Sequence, residues 1–231
     1  MAEIALIEVV DPADLWVDLG FTVAGGLCRV GAVTLRLRSA ADGVPAGGVT
    51  GWELTGDGGL VELPVVTGVE RLDADRPVDL RPPHPNGVVD LDHVVVTTPD
   101  LDRTVDAFER AGVLLRRTRQ AGTRADPVVQ AFFKMGPVVV EVVGSSRPTG
   151  SGPARFYGLA FTVGDLDVTS RLLGDRLRPP RDAVQPGRRI ATLDRSAGST
   201  VPIAFMTPGR HVPPGGPPGH QPDVRDRRRI E

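Results

Sequence analysis

Residues 91–112 read LDHVVVTTPDLDRTVDAFERAG and residues 134–145 read KMGPVVVEVVGS; an altered copy follows as FYGLAFTVGDLDVTSRLLG at 156–174 and STVPIAFMTPG at 199–209. In the first copy Leu91–Thr97 is an apolar run of strand length. Thr98 suits an N-cap, Pro99 the first helical position, and Asp100 with Asp102 the positive end of a helix. Leu101, Val105 and Phe108 then share one helical face, and Gly112 stops the helix. The stretches VLLRRTR, QAFFKMG and VVVEVVG predict three further strands. The second copy keeps this order: strand Tyr157–Val163, helix Asp165–Leu173 stopped by Gly174, and strands in RRIATLDR and VPIAFMT. Its second strand falls in the proline-rich LRPPRDAVQPG and is the weakest of the set. Self-similarity at a period of roughly 65 residues marks a duplicated supersecondary unit. Two such units commonly build one site between them, so chemistry is sought at matched positions of the copies.

Working outward, residues 1–66 read as a worn version of the same architecture. Ile4–Val10 predicts a strand, DPADLWVDLG a short helix with Asp11 as N-cap, Pro12 first in the helix and Gly20 at its stop. LCRVG and AVTLRLRS follow as strands, and VTGWELTG resembles the FYGLAFTVG opening, as if a second unit began and was cut short. Residues 67–90 combine charges with Pro-Pro, His-Pro and Asn-Gly and read as a linker. Residues 91–207 hold the two clear units. Residues 208–231, rich in Pro, Gly and Arg with little to bury, read as a disordered tail.

The bulk numbers narrow the classes. A chain of 231 residues, 40% hydrophobic and 24% charged, has the make-up of an ordinary globular protein able to bury a core. A net charge of −2 gives no electrostatic argument for nucleic acid or for an anionic membrane surface. The single Cys28 excludes an internal disulfide framework and, with an N-terminus lacking a cationic signal-type region, points to a cytoplasmic protein. No apolar run reaches the length of a membrane span.

A duplicated βαβββ unit opening LDHVVVTTPDLDRT resembles the vicinal oxygen chelate superfamily, which includes glyoxalase I, extradiol dioxygenases, methylmalonyl-CoA epimerase and the bleomycin resistance proteins. The resemblance covers 91–207 well and 3–66 faintly. It implies an α+β fold in which paired βαβββ modules roll an incomplete barrel around a cavity, with a degenerate N-terminal copy beside them. It also implies a divalent metal held by a His or Gln from each opening strand and a carboxylate from each closing strand, and no other cofactor. Carried over residue by residue, His93 takes the opening-strand ligand position and Glu141 the closing-strand one, as catalytic residues or metal ligands. The second unit departs from the pattern, since Gly158 stands opposite His93 and Ala204 opposite Glu141. In the N-terminal copy Arg36 matches Glu141, and a small or apolar residue near Ala5 matches His93.

The residues support the same two positions independently. His93 and Glu141 interrupt valine-rich strands, where a buried carboxylate needs a polar partner. As a metal-free pair they suit proton transfer, because imidazole titrates near neutrality and a carboxylate fixes its tautomer. Gln130, Gly158, Ala160, Ala204 and Arg189 are the candidate ligand-binding residues; Gln185 and Arg188 lie at the same turn as Arg189. Two functions follow: a glyoxalase- or dioxygenase-like enzyme acting on a small oxygenated or carbonyl compound, or a module that sequesters a small molecule without turnover. The N-terminal copy either extends the sheet or forms a homodimer surface.

Overall fold

The computed structural model describes residues 2–40, 47–55, 83–123 and 127–209. The first clear unit runs β6 (Val88–Thr97), α2 (Leu101–Arg110), β7 (Leu115–Gly122), β8 (Pro127–Met135) and β9 (Val138–Ser145), after an N-terminal set given below. The second runs β10 (Arg155–Val163), α3 (Leu166–Leu173), β11 (Arg181–Asp182), β12 (Arg189–Thr192) and β13 (Ile203–Met206). All eight strands form one sheet in the order β11-β12-β13-β10-β6-β9-β8-β7. Each opening strand pairs in parallel with its own closing strand, and β6 and β10 meet antiparallel at the centre. The curled result is the α+β half-barrel expected of paired βαβββ modules.

Strand alternation sorts the side chains onto two faces. Val94, Val96, Val140, Val142, Phe133, Phe161 and Phe205 lie on the face that carries the helices, all at 1% exposure or less. Phe108 of α2 stacks on Phe133 with ring centroids 4.4 Å apart. His93, Val95 and Glu141 take the opposite, concave face.

The N-terminal strands β1 (Glu3–Val10), β2 (Val23–Ala24), β3 (Leu27–Val30), β4 (Val33–Leu37) and β5 (Gly48–Thr55) form a second sheet in the order β2-β3-β4-β1-β5, with α1 (Ala13–Asp18) following β1. The order from β1 to β4 is that of each clear unit, and β5 meets β1 antiparallel as β10 meets β6. One core joins the two sheets. Trp16 and Phe21 pack edge-on against Phe161, with centroids 6.1 and 5.2 Å away, and Trp52 meets Phe156 at 5.0 Å.

Three local expectations give way to tertiary bonds. Asp11 does not cap α1; Pro12 occupies that position. The Asp11 carboxylate instead accepts from Trp16 Nε1, Ser199 Oγ and the Thr200 backbone N–H and hydroxyl, which ties α1 to the end of the second unit. In α2 the N-cap is Asp100, whose side chain accepts from the Arg103 N–H, while Thr98 bonds the Asp100 backbone and the Thr104 hydroxyl. The first unit's opening strand starts at Val88 rather than Leu91, because Val88 and Asp90 pair with Val163 and Thr162. The part of the expected linker that is described, 83–90, is therefore packed, with Asn86 fully buried and bonded to Leu19 O. The remainder of that linker and the expected tail from 210 onward lie outside the described residues. Among the described residues no helix is long and apolar enough to cross a membrane.

His84, at the start of this packed segment, accepts from the Thr22 N–H at Nδ1 (2.9 Å) and so donates from Nε2 to Arg29 O (2.9 Å). Burial pushes its imidazole below the ordinary value, outweighing the raising effect of the Arg29 carbonyl bond. The folded state thus prefers neutral His84: its contribution is complete above about pH 6.5 and is lost as pH falls below that value. Urea unfolding at about pH 7.5 and about pH 5.5 should show a larger loss of stability in wild type than in His84→Gln. Equal losses would show that His84 is not a source of the pH dependence.

Candidate active site

The concave face encloses a cavity of about 360 Å³, bounded by His93, Glu141, Gln130 and Phe132 on one side and by Gly158, Ala160, Ala204 and Met206 on the other. His93 and Glu141 lie two residues apart in register, since β6 pairs His93 with Val139 and Val95 with Glu141. His93 Nε2 stands 3.8 Å from Glu141 Oε2. The other oxygen of Glu141 accepts from the Gln130 amide, and the Gln130 carbonyl oxygen accepts from Arg119 Nε at 2.7 Å. Gln130 thus lines the cavity and fixes the carboxylate.

A residue overlooked in the sequence completes the arrangement. Asp92 should alternate away from His93, yet its Oδ1 lies 2.8 Å from His93 Nδ1. The cause is a β-bulge: β10 pairs Ala160 with His93 and Phe161 with Leu91, so Asp92 is the extra residue and turns to the concave side. Asp92 Oδ2 accepts from the Arg188 guanidinium and from Thr162 Oγ1 at 3.1 Å, so both partners come from the second unit. Arg188 is itself 7% exposed and also donates to Thr207 O (2.7 Å) and Gln185 Oε1 (2.6 Å). Burial alone would raise the Asp92 carboxyl; the bonds from His93 and Arg188 outweigh it and hold Asp92 far below the usual carboxylate range. An ionised Asp92 is acceptor-only, so His93 Nδ1 carries the hydrogen.

Of the sequence candidates, His93, Glu141, Gln130, Gly158, Ala160 and Ala204 come together on this cavity. Arg189 does not. Its guanidinium bonds Asp167 on α3 at 3.0 Å on the exposed side, and its neighbour Arg188 turns inward instead. A Cβ at Gly158 would stand 2.6 Å from the Pro202 carbonyl oxygen, so the glycine permits a close backbone approach.

The donor set does not fit a resident divalent metal. It offers one imidazole and one carboxylate, with Glu141 already bonded to Gln130 and no donor on Gly158, Ala160 or Ala204. Among the described residues no group of three His, Cys, Asp or Glu side chains is placed to hold an ion. The N-terminal sheet has gone further from the pattern. Register places Leu6 where His93 stands and Arg36 where Glu141 stands, and Glu8, at the position of Val95, bonds Arg36, Arg38 and Thr50.

Residues 92–192 match the family model described as Glyoxalase/Bleomycin resistance protein/Dioxygenase superfamily. Among solved structures, a mutant of 4-hydroxymandelate synthase from Streptomyces coelicolor aligns with a TM-score of 0.60 at 16% identity, over 89% of this chain and 92% of the synthase chain. Methylmalonyl-CoA epimerase from Mycobacterium tuberculosis aligns with a TM-score of 0.43 at 20% identity, over 53% of this chain and 90% of its own. At such identities the likeness to the synthase is one of fold. No curated protein matches the chain.

Breaking the Asp92–Arg188 pair leaves a buried charge without its counter-ion. Arg188→Gln should cost about 3 kcal/mol of unfolding free energy, and Asp92→Asn/Arg188→Gln clearly less than the sum of the single changes. Additive single effects in urea denaturation would show that the two side chains act independently.

Proposed function

We propose that the cavity binds a small oxygenated or carbonyl compound and that His93 moves a proton to or from it without a metal. The observation that supports this reading is the chain Asp92–His93···Glu141 at the cavity wall. With its hydrogen on Nδ1, neutral His93 turns a lone pair at Nε2 toward the Glu141 carboxylate, 3.8 Å away. Two acceptors face each other there, and a compound with an acidic hydrogen is what such a gap favours. His93 takes a proton from the carbon beside a carbonyl, and the C–H electron pair passes into an enolate. The imidazolium formed is stabilised by the Asp92 carboxylate. Glu141, held by Gln130, accepts a hydroxyl of the compound and orients it. Return of a solvent proton from His93 completes an exchange or isomerisation.

A second reading, sequestration without turnover, is favoured by the opposing wall, where Gly158, Ala160 and Ala204 bring no polar side chain to the cavity.

Proton-to-deuterium exchange into pyruvate, hydroxyacetone and methylglyoxal, followed by NMR in deuterium oxide, separates the two. Exchange above the buffer rate should fall by about 100-fold or more in His93→Ala, remain unchanged with a chelator, and be blocked by Ala204→Phe, which fills the cavity. Exchange that is insensitive to His93→Ala would sink the proton-transfer reading. If there is no exchange, but the same compounds bind and Ala204→Phe abolishes that binding, the protein is a sequestering module.

A further inference from the structure

A second bulge in the first unit does for cations what the first does for Asp92. Strand β7 pairs Leu115 with Phe133 and Arg117 with Phe132, which leaves Arg116 as the extra residue. Consecutive arginines, which alternation would place on opposite faces, therefore both border one space of about 170 Å³, joined there by Lys134 of β8. His93, Glu141, Phe132 and Gln185 line this space and the 360 Å³ cavity alike, so the proton-transfer pair stands between the two.

The charges at this place run against those of the whole chain. Net charge is −2, yet five cationic side chains and two acidic ones line the two spaces. The acids are engaged: Asp92 by Arg188 and His93, Glu141 by Gln130. The three cations of the smaller space have no carboxylate partner among the described residues. Lys134 reaches only the Pro137 carbonyl, and Arg117 lies 4.4 Å above the Phe132 ring. Stacking on Phe132 holds the Arg117 guanidinium in place while leaving its N–H edge free, a preorganised donor for an oxyanion.

We infer that the compound carries an oxyanion, a carboxylate or a phosphate, which sits against Arg116, Arg117 and Lys134 while the rest of the molecule passes His93 and Glu141 into the larger cavity. This rests on the small-molecule reading above and adds the class of compound. A local field of this sign, focused between low-dielectric walls, also steers anions to the site from a chain that is otherwise slightly acidic.

Inorganic phosphate and acetate are the probes, titrated separately into the full-length protein and followed by amide chemical shifts. Saturable shifts are expected at Arg117, Phe132, Lys134 and Val139, and the tighter of the two anions identifies the natural group. In the triple variant Arg116→Gln, Arg117→Gln, Lys134→Gln, whose altered residues are exposed, affinity should fall by at least about tenfold. Raising the sodium chloride concentration should weaken the wild-type response as well. Shifts that do not saturate, or that survive unchanged in the triple variant, would overturn the inference. The exchange assay keeps the two claims apart. Anion binding without any exchange removes the proton-transfer reading and leaves the oxyanion subsite standing. Exchange of neutral hydroxyacetone without anion binding does the reverse.

Discussion

The Asp92 carboxylate is where the site is held together. One oxygen receives the His93 Nδ1–H and the other receives Arg188 and Thr162, so a residue of the first unit is fixed by two residues of the second. Without Arg188 the Asp92 carboxylate would carry its burial cost against only the His93 imidazole and the Thr162 hydroxyl, and the residue that sets the His93 tautomer would be less firmly held. In the second unit Gly158 and Ala204 bring no polar side chain to the cavity. What it supplies instead is a counter-charge behind the histidine and an apolar wall in front of it. The two units are thus unequal partners, one carrying the reactive side chains and the other positioning them.

The N-terminal sheet shows the same strand order put to a different use. There Glu8 is buried and bonded by Arg36, Arg38 and Thr50. The opposite side, through Trp16, Phe21 and Trp52, joins the core behind β10 and β13. Support for the two strands that form the apolar wall is therefore its visible contribution. Asp11, reaching from β1 to Ser199 and Thr200 just before β13, is the polar part of the same attachment.

Much of this was legible in the sequence because it follows from periodicity. Valine-rich runs around His93 and Glu141 marked strands, and the helices announced themselves through Asp100 and Asp165, Gly112 and Gly174. What escaped was the work of the bulges. An inserted residue reverses the alternation locally and leaves no compositional trace, so strict alternation would turn Asp92 and Arg116 away from the positions they occupy. At the Gln185–Arg189 turn the sequence pointed to Arg189 as the candidate, but the turn sends Arg188 inward to Asp92 and leaves Arg189 to meet Asp167. Asp11 and Thr98 looked like caps because their local chemistry suits capping, and long-range or neighbouring donors claimed them instead. At Gly158 the close approach of the Pro202 carbonyl leaves no room for a side chain.

The tautomer of His93 tests this picture most directly, because a bare Nε2 facing Glu141 exists only if Asp92 holds the hydrogen on Nδ1. Nitrogen-15 NMR of imidazole-labelled protein, at a pH where His93 is neutral, reads both ring nitrogens. Wild type should show the hydrogen on Nδ1 and an unprotonated Nε2, and Asp92→Ala should abolish that preference. A hydrogen resident on Nε2 in wild type, or a tautomer unchanged by Asp92→Ala, would contradict it.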